Sequence, residues 1–257
     1  MRKLELLSPA KDLECGIAAI DNGADAVYIG AEKFSARAAA GNSLADIEKL
    51  VHHAHQYGCK VYVTVNTIIY DEELESTREL IRGLYDIGVD ALIVQDLAIL
   101  DMAKDIPCPP LHASTQMDIC SVEKVQWLYG LGFKRVVLAR ELSLAEIAEI
   151  HEAVPDMELE VFVHGALCVS YSGQCYASQY CFNRSANRGN CAQFCRLKFN
   201  LEYGNGNILL ADKYFLSLKD MNRLDRLYDL AKAGVVSFKI EGSVKSLSFA
   251  DNLLPFT

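Results

Sequence analysis

The stretch NGADAVYIG, Asn22–Gly30, decides how the chain is read. A glycine ends a segment of helical period, and a short apolar run rich in β-branched residues begins two or three residues on. Glycine in that place suits the left-handed cap of a helix C-terminus, where a side chain on Cβ is penalised. The same punctuation recurs in YGCKVYVTV (57–65), IGVDALIVQ (87–95), LGFKRVVLA (131–139) and AGVVSFKIE (233–241), with Gly58, Gly88, Gly132 and Gly234 as the caps. Working outward, eight apolar runs read as strands: LELLSPA (4–10), DAVYIG (25–30), KVYVTVN (60–66), ALIVQD (91–96), LHASTQ (111–116), RVVLAR (135–140), LEVFVHG (159–165) and SFKIEG (237–242). Between them, segments 43–58, 71–88, 121–132, 143–154 and 220–234 carry apolar residues at three- and four-residue spacing behind a Ser or Asp cap, as amphipathic cover helices do.

Alternating strands and helices of this kind build a parallel sheet. Eight units in 257 residues match the size of a (β/α)8 barrel. A doubly wound open sheet would bring fewer strands and a glycine-rich phosphate turn, and LLSPAKDLECG (6–16) has no GxGxxG. The fold class expected is therefore α/β, a TIM-like barrel forming one domain over residues 1–257, with a cysteine-rich insertion at 165–217 between the seventh strand and its helix. Chemistry on such a barrel sits at the C-terminal ends of the strands. Those ends are polar here: Ser8, Glu32, Asn66, Gln95, Asp96, Ser114, Gln116, Arg140, Glu141, His164, Lys239 and Glu241.

Composition sets limits. The chain is 51% hydrophobic and 23% charged with net charge -9, an ordinary globular balance that disfavours indiscriminate nucleic-acid binding. No apolar run approaches the ~20 residues of a membrane span, and the N-terminus reaches an acid before a signal-peptide core forms, so a cytoplasmic protein with no membrane partner is expected. Thiols stay reduced in that compartment, and nine cysteines point to metal, catalysis or burial rather than a disulfide frame. Five fall in HGALCVSYSGQCYASQYCFNRSANRGNCAQFCR, His164–Arg196, within a stretch that has no Asp or Glu between Gly165 and Leu201. Cys168, Cys175, Cys191 and Cys195 give C-x6-C-x15-C-x3-C directly after the seventh strand, at the catalytic rim, with Cys181 between without an assigned role. Four soft thiolates suit an iron-sulfur cluster, a tetrahedral zinc, or independent thiols; the single short pair fits a cluster better than the paired knuckles of zinc sites. Cys15, Cys59, Cys108 and Cys120 read as small core residues. Arg184, Arg188, Arg196 and Lys198 either balance the charge of a thiolate-bound centre or receive RNA or another anion.

The run ELEVFVHGALCVSYSGQCYAS (158–178) resembles the signature of the collagenase-like peptidase family U32, with Glu160, Phe162, Gly165, Ala166, Leu167, Cys168, Gly173, Cys175 and Ser178 at its fixed positions and Ala177 as a departure. The resemblance extends to the opening (6–30), RVVLARELSLAEI (135–147), NRGNCAQFCR (187–196) and SFKIEGSVKS (237–246). It implies one of two activities. Some members were named peptidases; others resemble iron-sulfur proteins that hydroxylate a tRNA or rRNA base, or a quinone precursor, without oxygen, some with prephenate as co-substrate. The chain has no HExxH helix and no GxSxG elbow, which leaves cysteine as the one plausible peptidase nucleophile, with His164 four residues from Cys168 as its base. One activated thiol serves a peptidase, whereas a 4Fe-4S centre uses all four. The expectation is an iron-sulfur-dependent, oxygen-independent RNA hydroxylase, with a peptidase or a zinc- or cluster-stabilised binding module as alternatives. Cys168, Cys175, Cys191 and Cys195 would hold the cluster beside a pocket floored by Asn66, Gln116, Arg140, Glu141 and His164. His164 is the candidate proton shuttle, Arg140 the anion clamp and Glu241 a further catalytic group.

After SFKIEG only SVKSLSFADNLLPFT (243–257) remains, and Pro255 limits it to two helical turns. Family members resemble longer chains that carry Arg where Ser243 stands. A truncated product is expected, its last helix incomplete, Leu253, Leu254 and Phe256 uncovered, and the barrel seam open or closed by an oligomeric partner.

Overall fold

The computed structural model describes residues 3–32, 34, 35, 41–204 and 206–242. Its strands and helices run β1 (Glu5–Ala10), α1 (Leu13–Asp21), β2 (Ala26–Gly30), α2 (Leu44–Gln56), β3 (Lys60–Val65), α3 (Leu74–Asp86), β4 (Ala91–Val94), α4 (Ala98–Asp105), β5 (Leu111–Ala113), α5 (Val122–Gly130), β6 (Arg135–Val137), α6 (Leu144–Ala153), β7 (Glu158–Gly165), α7 (Ala177–Phe182), β8 (Phe199–Glu202), β9 (Ile208–Lys213), β10 (Met221–Asn222), α8 (Leu227–Lys232) and β11 (Val235–Ile240). Strands β1 to β7 pair in sequence, all parallel, and β11 lies parallel between β7 and β1, closing an eight-stranded barrel. The expected TIM-like architecture is the one found.

Local chemistry accounts for the element ends. Ser43, Ser121 and Ser143 each accept a hydrogen bond from the backbone N–H three residues on, and the Ser143 N–H donates to the Glu146 carboxylate to complete a capping box. The five glycines expected to end helices all have φ between +70° and +99°. Helix α4 escaped the sequence reading, α1 was marked there only by the glycine that ends it, and the N-cap of α8 is Arg226, not Asp220. Met221 and Asn222 instead pair antiparallel with Gly165 and His164, so the last cover helix shrinks to α8. Antiparallel β8 and β9 form a separate hairpin with almost every residue exposed.

Between the strands and the helices lies an apolar layer in which Val27, Ile29, Val61, Val63, Leu92, Val136, Leu159 and Val161 pack against Ile47, Leu50, Ile81, Leu84, Val125, Leu128 and Ile147. Cys15 is buried and Cys59 and Cys108 are half-buried, while Cys120 is exposed, contrary to the core role expected of it. Inside the barrel the alternate residues are different. Leu7, Ala26, Tyr28, Tyr62, Ala91 and Ile93 form a small apolar cluster beside a buried ionic network. Arg135 donates to Glu5 (2.5 Å), Glu158 (2.7 Å) and Glu160 (3.2 Å), Lys239 donates to Glu160 (2.8 Å), and the Ser237 hydroxyl donates to Glu5 (2.9 Å) and Glu160 (3.2 Å). Strand β11 is buried along its whole length. The expected open seam between the last and first strands is not found, since Glu5–Leu7 of β1 pair with Ser237–Lys239 of β11, while the expectations about a short final helix and Ser243 onward fall outside the described residues.

Candidate active site

Above the ionic network, at the C-terminal ends of the strands, a cavity of about 630 Å³ opens. Its floor is Tyr28, Ile93, Phe162 and Lys239, and its walls include Lys11, Asn66, Ser114, Gln116, Arg140 and Glu241. Lys239 projects from the network with its ammonium 4.3 Å from the centre of the Tyr28 ring, a cation–π contact as well as an ion pair. Arg140 pairs with Glu241 and lies over the Phe162 ring at 4.0 Å. The Asn66 amide donates to the Ser114 hydroxyl (3.3 Å). The result is an aromatic floor with amides, hydroxyls and a fixed guanidinium around it, suited to a planar polar ring rather than to an extended apolar chain.

The cysteine-rich segment after β7 forms the roof. It has no acid of its own between Gly165 and Leu201, and the barrel supplies the acids that hold it down. Glu141, after β6, accepts from the Ser172 N–H (2.5 Å) and hydroxyl (2.9 Å). Asp118, after β5, accepts from the Gln174 amide (2.9 Å). Glu73, after β3, takes both arms of the Arg188 guanidinium (2.9 and 2.6 Å), which also donates to the Ile68 carbonyl and lies 4.2 Å over the Tyr70 ring. The Arg188 hydrogen bonds hold the Glu73 carboxyl below the usual carboxylate range. Gly173 has φ +76°, and a Cβ there would stand 2.3 Å from the Gln116 carbonyl oxygen, so roof and rim touch through a residue that must lack a side chain. Arg196 ties the segment to itself, donating to the carbonyls of Leu167 (2.6 Å) and Leu218 (2.9 Å) and to the Ser217 hydroxyl (2.9 Å).

Cys168, Cys175, Cys191 and Cys195 all line the cavity, and all nine cysteines are free thiols. Burial pushes the Cys195 thiol up, Arg196 opposes that, and Cys168, Cys191 and Cys175 push it further. Buried Ser178 lies 3.9 Å from the Cys191 sulfur and accepts from the Ala192 N–H (3.0 Å), while the Gln193 N–H points at the same sulfur (3.4 Å). Among the described residues no three His, Cys, Asp or Glu side chains converge as a single-ion cage. The donor set is four soft sulfurs spaced around one cavity, which fits the separated corners of an iron-sulfur cluster.

Of the residues expected from sequence, Asn66, Gln116, Arg140, Glu241, Arg196 and the four cysteines meet at this cavity. Others do not. The Glu141 carboxylate clasps the roof instead of facing the cavity. His164 is not among the lining residues; its carbonyl accepts from the Glu241 N–H (2.8 Å). Arg188 is bound to Glu73 in the clasp, and Lys198 pairs with Asp212 (2.9 Å) across the hairpin at the surface. Arg184 is exposed, and Cys181 is exposed outside the cavity. Sequence reading passed over Lys11 and Tyr28, and took Lys239 for a rim group when it is the buried floor. The alternation of β2 alone would have turned Tyr28 inward with Ala26.

The family model described as Peptidase family U32 matches residues 11–254. The chain is 53% identical over 251 residues to the 23S rRNA 5-hydroxycytidine C2501 synthase of Escherichia coli (strain K12), covering 98% of this chain and 38% of that protein. It is 36% identical over 256 residues to the tRNA hydroxylation protein P1 of Bacillus subtilis (strain 168), covering 96% of this chain and 60% of that one. The chain thus spans less than two thirds of the length of these relatives. A solved structure titled as a U32 peptidase aligns with a TM-score of 0.63 at 14% identity over 95% of both chains, a likeness of fold. With the family's model matched over residues 11–254 of the chain, and with the barrel and the cysteines in place around one cavity, this chain belongs to peptidase family U32.

Proposed function

We propose that the chain forms the barrel of an iron-sulfur-dependent, oxygen-independent hydroxylase of an RNA base, in tRNA or rRNA. The observation that carries the reading is the gathering of four thiols over a cavity with an aromatic floor and amide walls. The names of the two relatives, one acting on 23S rRNA and one on tRNA, support the choice of RNA. Cys168, Cys175, Cys191 and Cys195 would hold a 4Fe-4S cluster, which when bound supplies one-electron transfer and, fully ligated by thiolates, no open iron site.

The chain's own residues hold the base. Arg140, stacked on Phe162, offers a planar face, and Asn66 and Gln116 offer donors and acceptors to a base edge. The Arg140–Glu241 pair keeps the guanidinium oriented and leaves it a donor toward an anionic group, including the carboxylate of a co-substrate such as prephenate. A cysteine peptidase would need a base facing Cys168 in the cavity, and His164 does not line it. Anaerobic purification tests the reading. A brown protein carrying iron and sulfide, bleached in Cys175→Ala, together with loss of one hydroxylated nucleoside from RNA of cells lacking the gene, is expected. Stoichiometric zinc without iron, or an unchanged nucleoside profile, would overturn it.

A further inference from the structure

The roof carries exposed aromatic rings where the cavity opens. Tyr171 and Tyr176 line the cavity and are still 72% and 57% exposed, and Tyr180 beyond them is 93% exposed. The Tyr180 N–H donates to the carbonyl of Tyr176, the N-cap of α7 (3.0 Å), so the two residues are one helical turn apart. Aromatic side chains gain most from burial, and three of them left in water beside a cavity mouth mark a contact surface. The charge of that surface says what it contacts. Residues 166–201 contain no Asp or Glu in a chain of net charge -9, and Arg184, two residues past α7, is exposed. An acidic body repels a polyanion everywhere but at such a rim, where rings and a cation together suit unpaired bases and the phosphates between them.

We infer that Tyr171, Tyr176 and Tyr180 form a stacking platform for single-stranded RNA, holding the nucleotides beside the target so that the target base turns into the cavity. The inference rests on the RNA reading above and adds to it the state of the substrate. Bases of a duplex are already stacked and present no free faces, so a loop or an unpaired strand is the form recognised.

The test uses the full chain, purified anaerobically, with a short single-stranded RNA and the duplex of the same sequence, titrated over a salt series. Tyr176→Ala and Tyr180→Ala each weaken single-strand binding by about tenfold and leave its salt slope unchanged. Arg184→Glu weakens binding and makes the slope shallower. Tyr57→Ala, an exposed tyrosine where α2 ends at the opposite face of the barrel, binds as the parent does. Duplex bound as tightly as single strand, or folded tyrosine variants with undiminished affinity, would overturn the platform. So would tyrosine variants that lose self-association in sedimentation while RNA binding persists, which would assign the rings to a protein interface. Failure of the reaction is read separately: tyrosine-dependent binding without nucleoside hydroxylation supports the platform and removes the enzyme reading, and hydroxylation by a chain with tyrosine-independent binding does the reverse.

Discussion

Glu160 is fully buried at the centre of the barrel, and replacing it with glutamine tests how the cavity floor is held. Its carboxylate takes Lys239 (2.8 Å) and Arg135 (3.2 Å), and with Glu5 the four buried charges balance two against two. Glu160→Gln preserves shape but removes the buried carboxylate that Lys239 and Arg135 share, while Arg135 keeps Glu5 and the half-exposed Glu158. Breaking a buried pair in this way costs about 3–5 kcal/mol. For a chain of this size that lowers Tm by roughly 10 °C. The sign with pH follows from the carboxyl itself. Burial pulls its pKa up, but Lys239 and Arg135 outweigh burial and hold it below the ordinary value. Its contribution is therefore complete above the unfolded glutamate pKa of ~4.3 and is lost as pH falls through the lower folded value. Urea unfolding of parent and variant, from neutral pH down to the acid transition, should show a gap of several kcal/mol that narrows below about pH 4. Glu160→Gln with Lys239→Met, which removes both members of the pair, should recover part of the loss. A single variant within about 0.5 kcal/mol of the parent at neutral pH, or a gap that does not narrow in acid, would refute the reasoning.

Two further outcomes concern the roof. Glu73→Gln removes the charge that grips Arg188. With both side chains about one-fifth exposed, the cost to global stability is about 1 kcal/mol. Limited proteolysis within 166–196 should quicken in that variant at neutral pH, and in the parent only as pH falls through the lowered Glu73 pKa, so equal protection of the two at neutral pH would count against the clasp. Gly173→Ala puts a methyl 2.3 Å from the Gln116 carbonyl oxygen on left-handed backbone, a strain of roughly 1–3 kcal/mol, and an unchanged melting curve would show that roof and rim do not meet there.

The barrel was legible because the signals that specify its elements are local. A glycine that must be left-handed, a serine that caps, and an apolar run of strand length act within a few residues, and all of them stood where the sequence put them. Helix α4 was missed for the same kind of reason: Ala98–Asp105 is short and marks its apolar face over barely two turns, and α1 was legible only through the glycine that ends it. The cysteines could be gathered from sequence, since all four follow one strand, and their shared cavity agrees with that.

What sequence alone determined, then, is the order of the strands and the position of the cysteine segment at their C-terminal rim. Tertiary structure decided which charged groups serve the cavity and which serve the fold. Arg188 and Glu141 look like site residues in the sequence, and folding turns each to a partner far along the chain, Glu73 and Ser172. Lys239 looks like a rim group and is the floor, bound to Glu160 on the neighbouring strand. The physical reason is that a charge leaves water only beside a compensating one, and which partner arrives is fixed by barrel closure, which brings together residues as distant as Glu5 and Ser237.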